Sequence, residues 1–333
     1  MGLLGKVGHL GLVAAVFGSV ACAPTDDVAD ESVGQNSDAL VIVCGGSYAM
    51  TDNAAASISR CTTITGGLTI SGSAVSSLRS LRNLRSVSSL TISGTALTNL
   101  QGLNILSSPG SLSVRDNPSL VNLTGLGPVT SLNTLDVRNN AALEQLSGLE
   151  TLTRVQDMYI MDNSAQTSLL GLSGLTYIES QFVLQRCPGV TSLSGLGPIA
   201  HVAKLNFIDT PLVSLSGLQL IGAGVEEVWI ENTNVTTLTG LEGITSISGG
   251  PAELVIRKNN NLTNLRGLHN VSNVSTSFYI MENPALTQCA MPALTSVPRL
   301  CITSNRSLPT QLANDLVTQA NANQSVNCVS GNL

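Results

Sequence analysis

Charge and aromatic rings are what this 333-residue chain has least of: 11% of residues are charged, 3% are aromatic, and there is one Trp and only three His. Soluble domains carry roughly 25% charged residues. The formal net charge is −6, but it is unevenly placed. Residues 23–40, "APTDDVADESVGQNSDAL", hold five acids (Asp26, Asp27, Asp30, Glu31, Asp38) and no base. Without that run and Lys6, 16 acids face 14 bases. In a nearly neutral body nothing supports nucleic-acid binding, which needs a basic face to meet phosphate, and no nucleic-acid partner is expected. There is no C-x-x-C pair and no Cys/His cluster, so no metal site is expected. His201 and His269 read as turn residues. Nucleophile elbow, zinc motif, phosphate loop and His-based dyad are all missing, which points away from an enzyme and from any cofactor.

Long apolar runs are scarce too. The longest opens the chain, in "MGLLGKVGHLGLVAAVFGSVACAP", where Lys6 precedes an apolar stretch from Leu10 to Val20. That is too short to span a bilayer and reads as a signal peptide over residues 1–22. Two processing routes fit. Cys22 ends the apolar run, as in a bacterial lipoprotein signal that would carry a lipid on that Cys; Ser19 stands where that signal prefers Leu. Alternatively "ACA", Ala21–Ala23, is an ordinary cleavage site. The chain is therefore expected to be exported, to the outer membrane or cell surface through a lipid anchor or as a secreted protein. The acidic run 23–40 reads as a solvated linker.

What the chain does have is Leu, Ser, Thr, Gly and Asn in a repeat. An "apolar-x-apolar" step recurs at Leu68/Ile70, Leu90/Ile92, Leu112/Val114, Leu135/Val137, Met158/Ile160, Phe182/Leu184, Leu205/Phe207, Val228/Ile230, Leu254/Ile256, Phe278/Ile280 and Leu300/Ile302. These 11 units are spaced by 22 to 26 residues. Three residues after the second apolar position stands Asn117, Asn140, Asn163, Asn259, Asn283 or Asn305, or Cys187. Four units place Ser73, Thr95, Thr210 or Thr233 there, and their following Leu positions come one residue sooner. Asn both donates and accepts, so it serves a wider turn than a hydroxyl does. Cys187 in that column is expected to be an inward, inert thiol. Most units then turn through Gly-Leu, as at Gly148-Leu149. One unit cannot bury its apolar edge alone, but stacked units can. The fold class is a repeat solenoid with a parallel sheet of about 11–12 short strands and mostly irregular returns.

The consensus L-x-I/V-x-x-N-x-x-L-x-x-L-x-G-L resembles a leucine-rich repeat. The opening "CTTITGGLTISGS", Cys61 to Ser73, resembles the start of receptor L-domains, the ligand-binding repeats of insulin- and EGF-receptor-type ectodomains. Similar modules occur in bacterial surface proteins. The resemblance covers roughly residues 44–329 and implies the fold and a ligand-binding role. The strand number is about twice that of one such domain, and the Cys-rich module that follows in receptors is missing, so a growth-factor receptor role is not implied.

The expected organisation is an N-terminal cap over residues 41–65, a continuous solenoid of two L-domain-like halves over 66–306, and a C-terminal cap over 307–333. The first cap should hold a short helix near residues 51–59, tied by Cys44–Cys61. In the second, "LPTQLANDLVTQANANQ" reads as a helix with Pro309 in its first turn. "SVNCVSGNL" is expected to add a twelfth strand with Val329 inward. Neighbouring parallel strands lie close enough for Cys301–Cys328; Cys289–Cys328 is the rival pairing.

The residues between and after each inward pair point out of the sheet. The first four units show small or charged groups there; the fifth to tenth turn apolar and aromatic. A binding face is therefore expected from Tyr159, Met161, Val183, Ile208, Trp229, Val255, Tyr279 and Met281, with Glu231 and Arg257 as polar partners. Asp116, Asp162, Asp209 and Glu282 follow the strands at equivalent places and read as turn-solvating groups. Two functions follow: a displayed recognition module for a protein, peptide or glycan, or a structural envelope or matrix repeat.

Overall fold

The computed structural model describes residues 41–249, 253–322 and 327–333. The segments expected to be a signal peptide and an acidic linker, with Cys22, lie outside the described residues. Residues Val41–Leu333 form one compact unit. It is a parallel β-solenoid of about 12 turns.

The repeat strands are β3 (Thr63–Ser71), β4 (Ser86–Ser93), β5 (Ser108–Arg115), β6 (Ser131–Arg138), β7 (Arg154–Met161), β8 (Tyr177–Gln185), β9 (Lys204–Ile208), β10 (Glu227–Glu231), β12 (Glu253–Arg257), β14 (Ser277–Met281) and β15 (Arg299–Thr303). They pair in chain order and in register, so that Leu112 meets Leu135 and Val228 meets Leu254. Every residue of the 11 inward pairs is buried in one continuous core. The return-path leucines, such as Leu120, Leu123 and Leu126, pack behind them. A one-residue slip would turn this whole apolar set to solvent, which is why register is fixed along the stack.

Two differences from the expected returns stand out. Strands β3 to β8 start well before their inward pair, and Val87, Leu132, Val155 and Ile178 bury a second band of sheet. The short pair β11 (Ser246–Ile247) and β13 (Asn273–Val274) continues that band in later turns. The solenoid thus has a first and a second sheet face, and the register shifts between them in two strand pairs, between Ile64 and Gly67 in β3–β4 and between Val155 and Asp157 in β7–β8.

The caps also differ. No helix forms over residues 51–59; the chain there makes bends and turns. The Asp52 carboxylate accepts a bond from the Ala54 amide, and Ala55 takes a left-handed φ of 43°. Asn53 Oδ1 accepts from the Ser76 and Ser77 amides of the next turn. Side chains that bond backbone locally compete with a helix, and here they win. Strands β1 (Val43–Cys44) and β2 (Tyr48–Met50) instead extend the sheet beside β3. At the other end, α1 (Thr310–Gln319) follows Pro309 and buries Ala313, Leu316 and Val317 over the open core. The twelfth strand is β16 (Cys328–Ser330), with Val329 packed on the core.

Both expected disulfides are present, Cys44–Cys61 and Cys301–Cys328. Among the described residues Cys187 and Cys289 are free and buried.

Candidate functional site

The predicted turn ladder is the scaffold that holds the outward face. Asn140 shows its working. Its Nδ2 donates to the carbonyls of Arg138 and Val114, each at 3.0 Å, and its Oδ1 accepts from the Asn117 amide at 3.0 Å. Asn117, Asn163, Asn259, Asn283 and Asn305 are buried in the same column. Where an Asn follows, the hydroxyl rungs reach it: Thr95 Oγ1 donates to Asn117 Oδ1 and Thr233 Oγ1 to Asn259 Oδ1, each at 2.7 Å, whereas Thr210, followed by Thr233, donates to the Ile208 carbonyl two residues back. Cys187 fills one rung, with Sγ facing the carbonyls of Gln185 and Ile160. A thiol offers no amide oxygen to the preceding Asn163. Gln166 Oε1 accepts from Asn163 Nδ2 instead, at 3.2 Å. That explains a polar residue where the repeat otherwise places Leu. Asn332 is a last rung that the repeat count missed: its Oδ1 accepts from the Asn305 amide.

Burial pushes the thiols of Cys187 and Cys289 up to about 11. A folded value above the unfolded one means that stability is whole below about 8.5, the free thiol value, and falls as pH rises towards 11. Iodoacetamide at pH 8 should leave both thiols unmodified in the native protein and alkylate both in denaturant. Native alkylation of Cys187 would remove the inert-thiol reading.

All ten predicted face residues lie on the outward side of the first sheet face, in two columns. Column one runs Tyr159, Val183, Asn206, Trp229, Val255, Tyr279, and column two runs Met161, Gln185, Ile208, Glu231, Arg257, Met281. Five strand spacings separate Tyr159 from Tyr279, about 24 Å. Trp229, Val255 and Tyr279 are consecutive, and Val255 is only 3% exposed although it points out of the sheet. Ile208 and Met281 flank the ion pair in column two. Glu231 organises that pair: its carboxylate accepts from Trp229 Nε1 at 2.9 Å, from an Arg257 guanidinium nitrogen at 2.9 Å and from Lys258 Nζ at 3.2 Å. The indole is thereby fixed against its own strand. Tyr279 is overlain by the Arg299 guanidinium at 5.4 Å.

The polar residues Asn206 and Gln185 divide the patch, so Tyr159, Met161 and Val183 form a separate smaller part. Tyr159 is held by Gln181 Nε2, which donates to its hydroxyl at 2.7 Å, and by the Arg138 guanidinium 5.9 Å over the ring. Burial and the neighbouring Asp157 raise its pKa. Beside it Asp136, though outward, is buried between Arg115 and Arg138.

The strand-end carboxylates have a structural explanation. Asp116, Asn139, Asp162, Arg186, Asp209, Asn232, Lys258, Glu282 and Ser304 all adopt φ between 50° and 60°. Asn and Asp tolerate this left-handed conformation better than most residues. Acceptors and donors alternate along much of the edge, with Asn139 on Asp116, Arg186 on Asp162 at 2.5 Å and Asn232 on Asp209 at 2.9 Å. The Arg186 hydrogen bond holds the Asp162 carboxyl below its usual range. Among the described residues no three His, Cys, Asp or Glu side chains gather as metal ligands.

No family model matches this chain, and no curated protein matches it either. The functional reading therefore stands on geometry.

One cluster escaped the sequence reading. Arg154 lies 4.3 Å over the Tyr177 ring, and His201 stacks on Tyr177 at 4.7 Å. The three come from successive turns of the second face, beside a recess of about 340 Å³ lined by Asn133, Gln156 and Glu179. Their spacing of 23 and 24 residues was visible, but only after the second band of sheet is recognised does it mark one column.

Proposed function

We propose that this chain is a non-enzymatic, exported recognition module that binds a protein, peptide or glycan on the outward face of its first sheet. The observation that carries this reading is the pair of outward rings, Trp229 and Tyr279, that cover Val255 on the first sheet face. Large amphipathic rings beside a fixed charge are the groups that dominate binding interfaces. Two polar atoms next to it support the reading. Asn206 Oδ1 and Arg257 Nε are buried there without a hydrogen-bond partner among the described residues and are free to take one from a ligand or water. The two disulfides point to an oxidising compartment, and no described helix is long and apolar enough to cross a membrane. Display at the outer membrane or cell surface through a lipid on Cys22, or secretion, completes the proposal.

Trp229→Ser and Tyr279→Ser test it. Each should weaken capture of the wild-type partner from the organism's own surface and extracellular fractions by about 30-fold. Thermal unfolding should barely move, because neither ring belongs to the inward core. Unchanged capture would remove the sheet-face reading. The alternative, a matrix spacer, draws on the hydroxyl-rich face of the first turns (Thr69, Thr91, Ser113). It predicts that neither substitution matters.

A further inference from the structure

The N-terminal end of the solenoid carries a separate surface. Between Asn53 and Arg115 the chain has five arginines and no acid or lysine. Arg115 is paired with Asp136. Arg60, Arg79, Arg82 and Arg85 are exposed and stand in no ion pair among the described residues. Elsewhere Arg138, Arg154, Arg186, Arg257 and Lys258 each meet a carboxylate, and the bases without an ion pair among the described residues, Lys204, Arg266, Arg299 and Arg306, are spread over several later turns rather than gathered on one ledge.

The fold gathers these four. Leu78, Leu81 and Leu84 are buried at every third position, so Arg79, Arg82 and Arg85 project together from the ledge between them. Asn83 Nδ2 donates to the Ser59 carbonyl, and the Arg85 amide donates to the Thr62 carbonyl. These bonds lay the ledge against the turn that bears Arg60. One rung further, the Thr62 amide donates to the Ile42 carbonyl, and Cys44–Cys61 pins the edge strand there. On that edge Val41 is 68% exposed and Val43 is 59% exposed, two residues apart and so on one side.

Unpaired arginines beside an exposed apolar edge fit an anionic lipid surface. The guanidinium groups bind headgroup phosphates, and the valines enter the boundary between headgroup and acyl chain. A soluble acidic polysaccharide would use the arginines but gain nothing from the valines. We propose that this N-terminal cap docks on anionic lipid, with Arg60, Arg79, Arg82 and Arg85 as the charge contacts and Val41 and Val43 as the apolar ones. The proposal is independent of the sheet-face reading and of any acyl chain on Cys22.

The unit Val41–Leu333 holds the whole core and both disulfides, and without Cys22 it excludes acylation. It should co-sediment at low salt with phosphatidylcholine vesicles containing roughly a third phosphatidylglycerol, and not with phosphatidylcholine alone. Each Arg→Gln change at 60, 79, 82 or 85 should lower partition by about fivefold. The control Arg154→Gln, at a paired arginine, should not. Val41→Ser/Val43→Ser should weaken binding at unchanged charge. Roughly 1 M salt, with a Debye length near 3 Å, should release the protein. Wild-type protein left in the supernatant, or binding indifferent to the four arginines, overturns the proposal. So does retention on dextran sulfate, with the Arg dependence intact, but no vesicle binding.

Discussion

Asn140→Ala is expected to lower unfolding stability by about 3–6 kcal/mol, since each buried group left without a partner costs about 1–3 kcal/mol. The substitution removes the two carbonyl bonds to Arg138 and Val114 and the acceptor for both Asn117 nitrogens. Asn140 is fully buried, so water cannot replace what is lost. The Arg138 carbonyl is partly exposed and costs least; the Val114 carbonyl and the Asn117 amide cost most. Asn140→Thr should donate to Asn163 Oδ1, as Thr95 does to Asn117, while the Val114 carbonyl stays unpaired, and so should fall between wild type and Ala. In a stacked array each turn contacts only its neighbours, so a broken central rung also threatens cooperativity. Urea unfolding followed by far-UV circular dichroism reads both effects. A midpoint shift no larger than that of an exposed Ser→Ala control would mean that the column is passive filling.

The inward letters of the repeat were legible because burial leaves little choice. Leu, Ile, Val and Phe at period two have one way to face a core, and Asn in a dry turn must bond backbone. The same logic made Cys301–Cys328 readable, since Cys301 sits between two inward residues and its register partner is Cys328. Three things were harder to read. The cap segment "DNAAAS" has helix-forming Ala, and only the neighbouring turn reveals that Asn53 is committed to Ser76 and Ser77. The second band of sheet carries Ser, Gly, Asn and Arg outward, residue types with no strand signature, so Arg154, Tyr177 and His201 did not register as neighbours. The left-handed strand ends mix Asp, Asn, Arg, Lys, Glu, Ser and Gly, and their common backbone angle is not a property of any one side chain. The candidate face is an intermediate case. The alternation of strands shows which residues point out. That Val255 is covered between Trp229 and Tyr279, and that Glu231 gathers three donors, belongs to the packed structure alone.

Gly148→Ala should be at least as damaging as the broken rung, whereas Gly94→Asn should be nearly silent. Both glycines have positive φ, so conformation alone does not separate them. Gly148 has a φ of 115°, beyond the left-handed basin that Asn and Asp occupy, and a Cβ there would collide with the Leu123 carbonyl of the preceding turn. That carbonyl is backbone and cannot rotate away, so the stack must open locally. Strain of this kind costs about 1–3 kcal/mol at one residue before any packing is lost. Gly171 in the following turn meets the Leu146 carbonyl in the same way, and Gly125 in the preceding turn lies equally close to the Gln101 backbone, so relief in one turn displaces its neighbour. Gly94 has a φ of 62°, close to the 56° of Asp116 and Asn139 in the same column, and nothing lies within 4 Å of an added Cβ. Asn there also narrows the unfolded ensemble, which offsets the residual strain. The expected outcome is a loss of more than about 3 kcal/mol for Gly148→Ala and a change within about 0.5 kcal/mol for Gly94→Asn. Equal effects at the two sites would show that positive φ, and not the close approach of successive turns, is what reserves these positions for glycine.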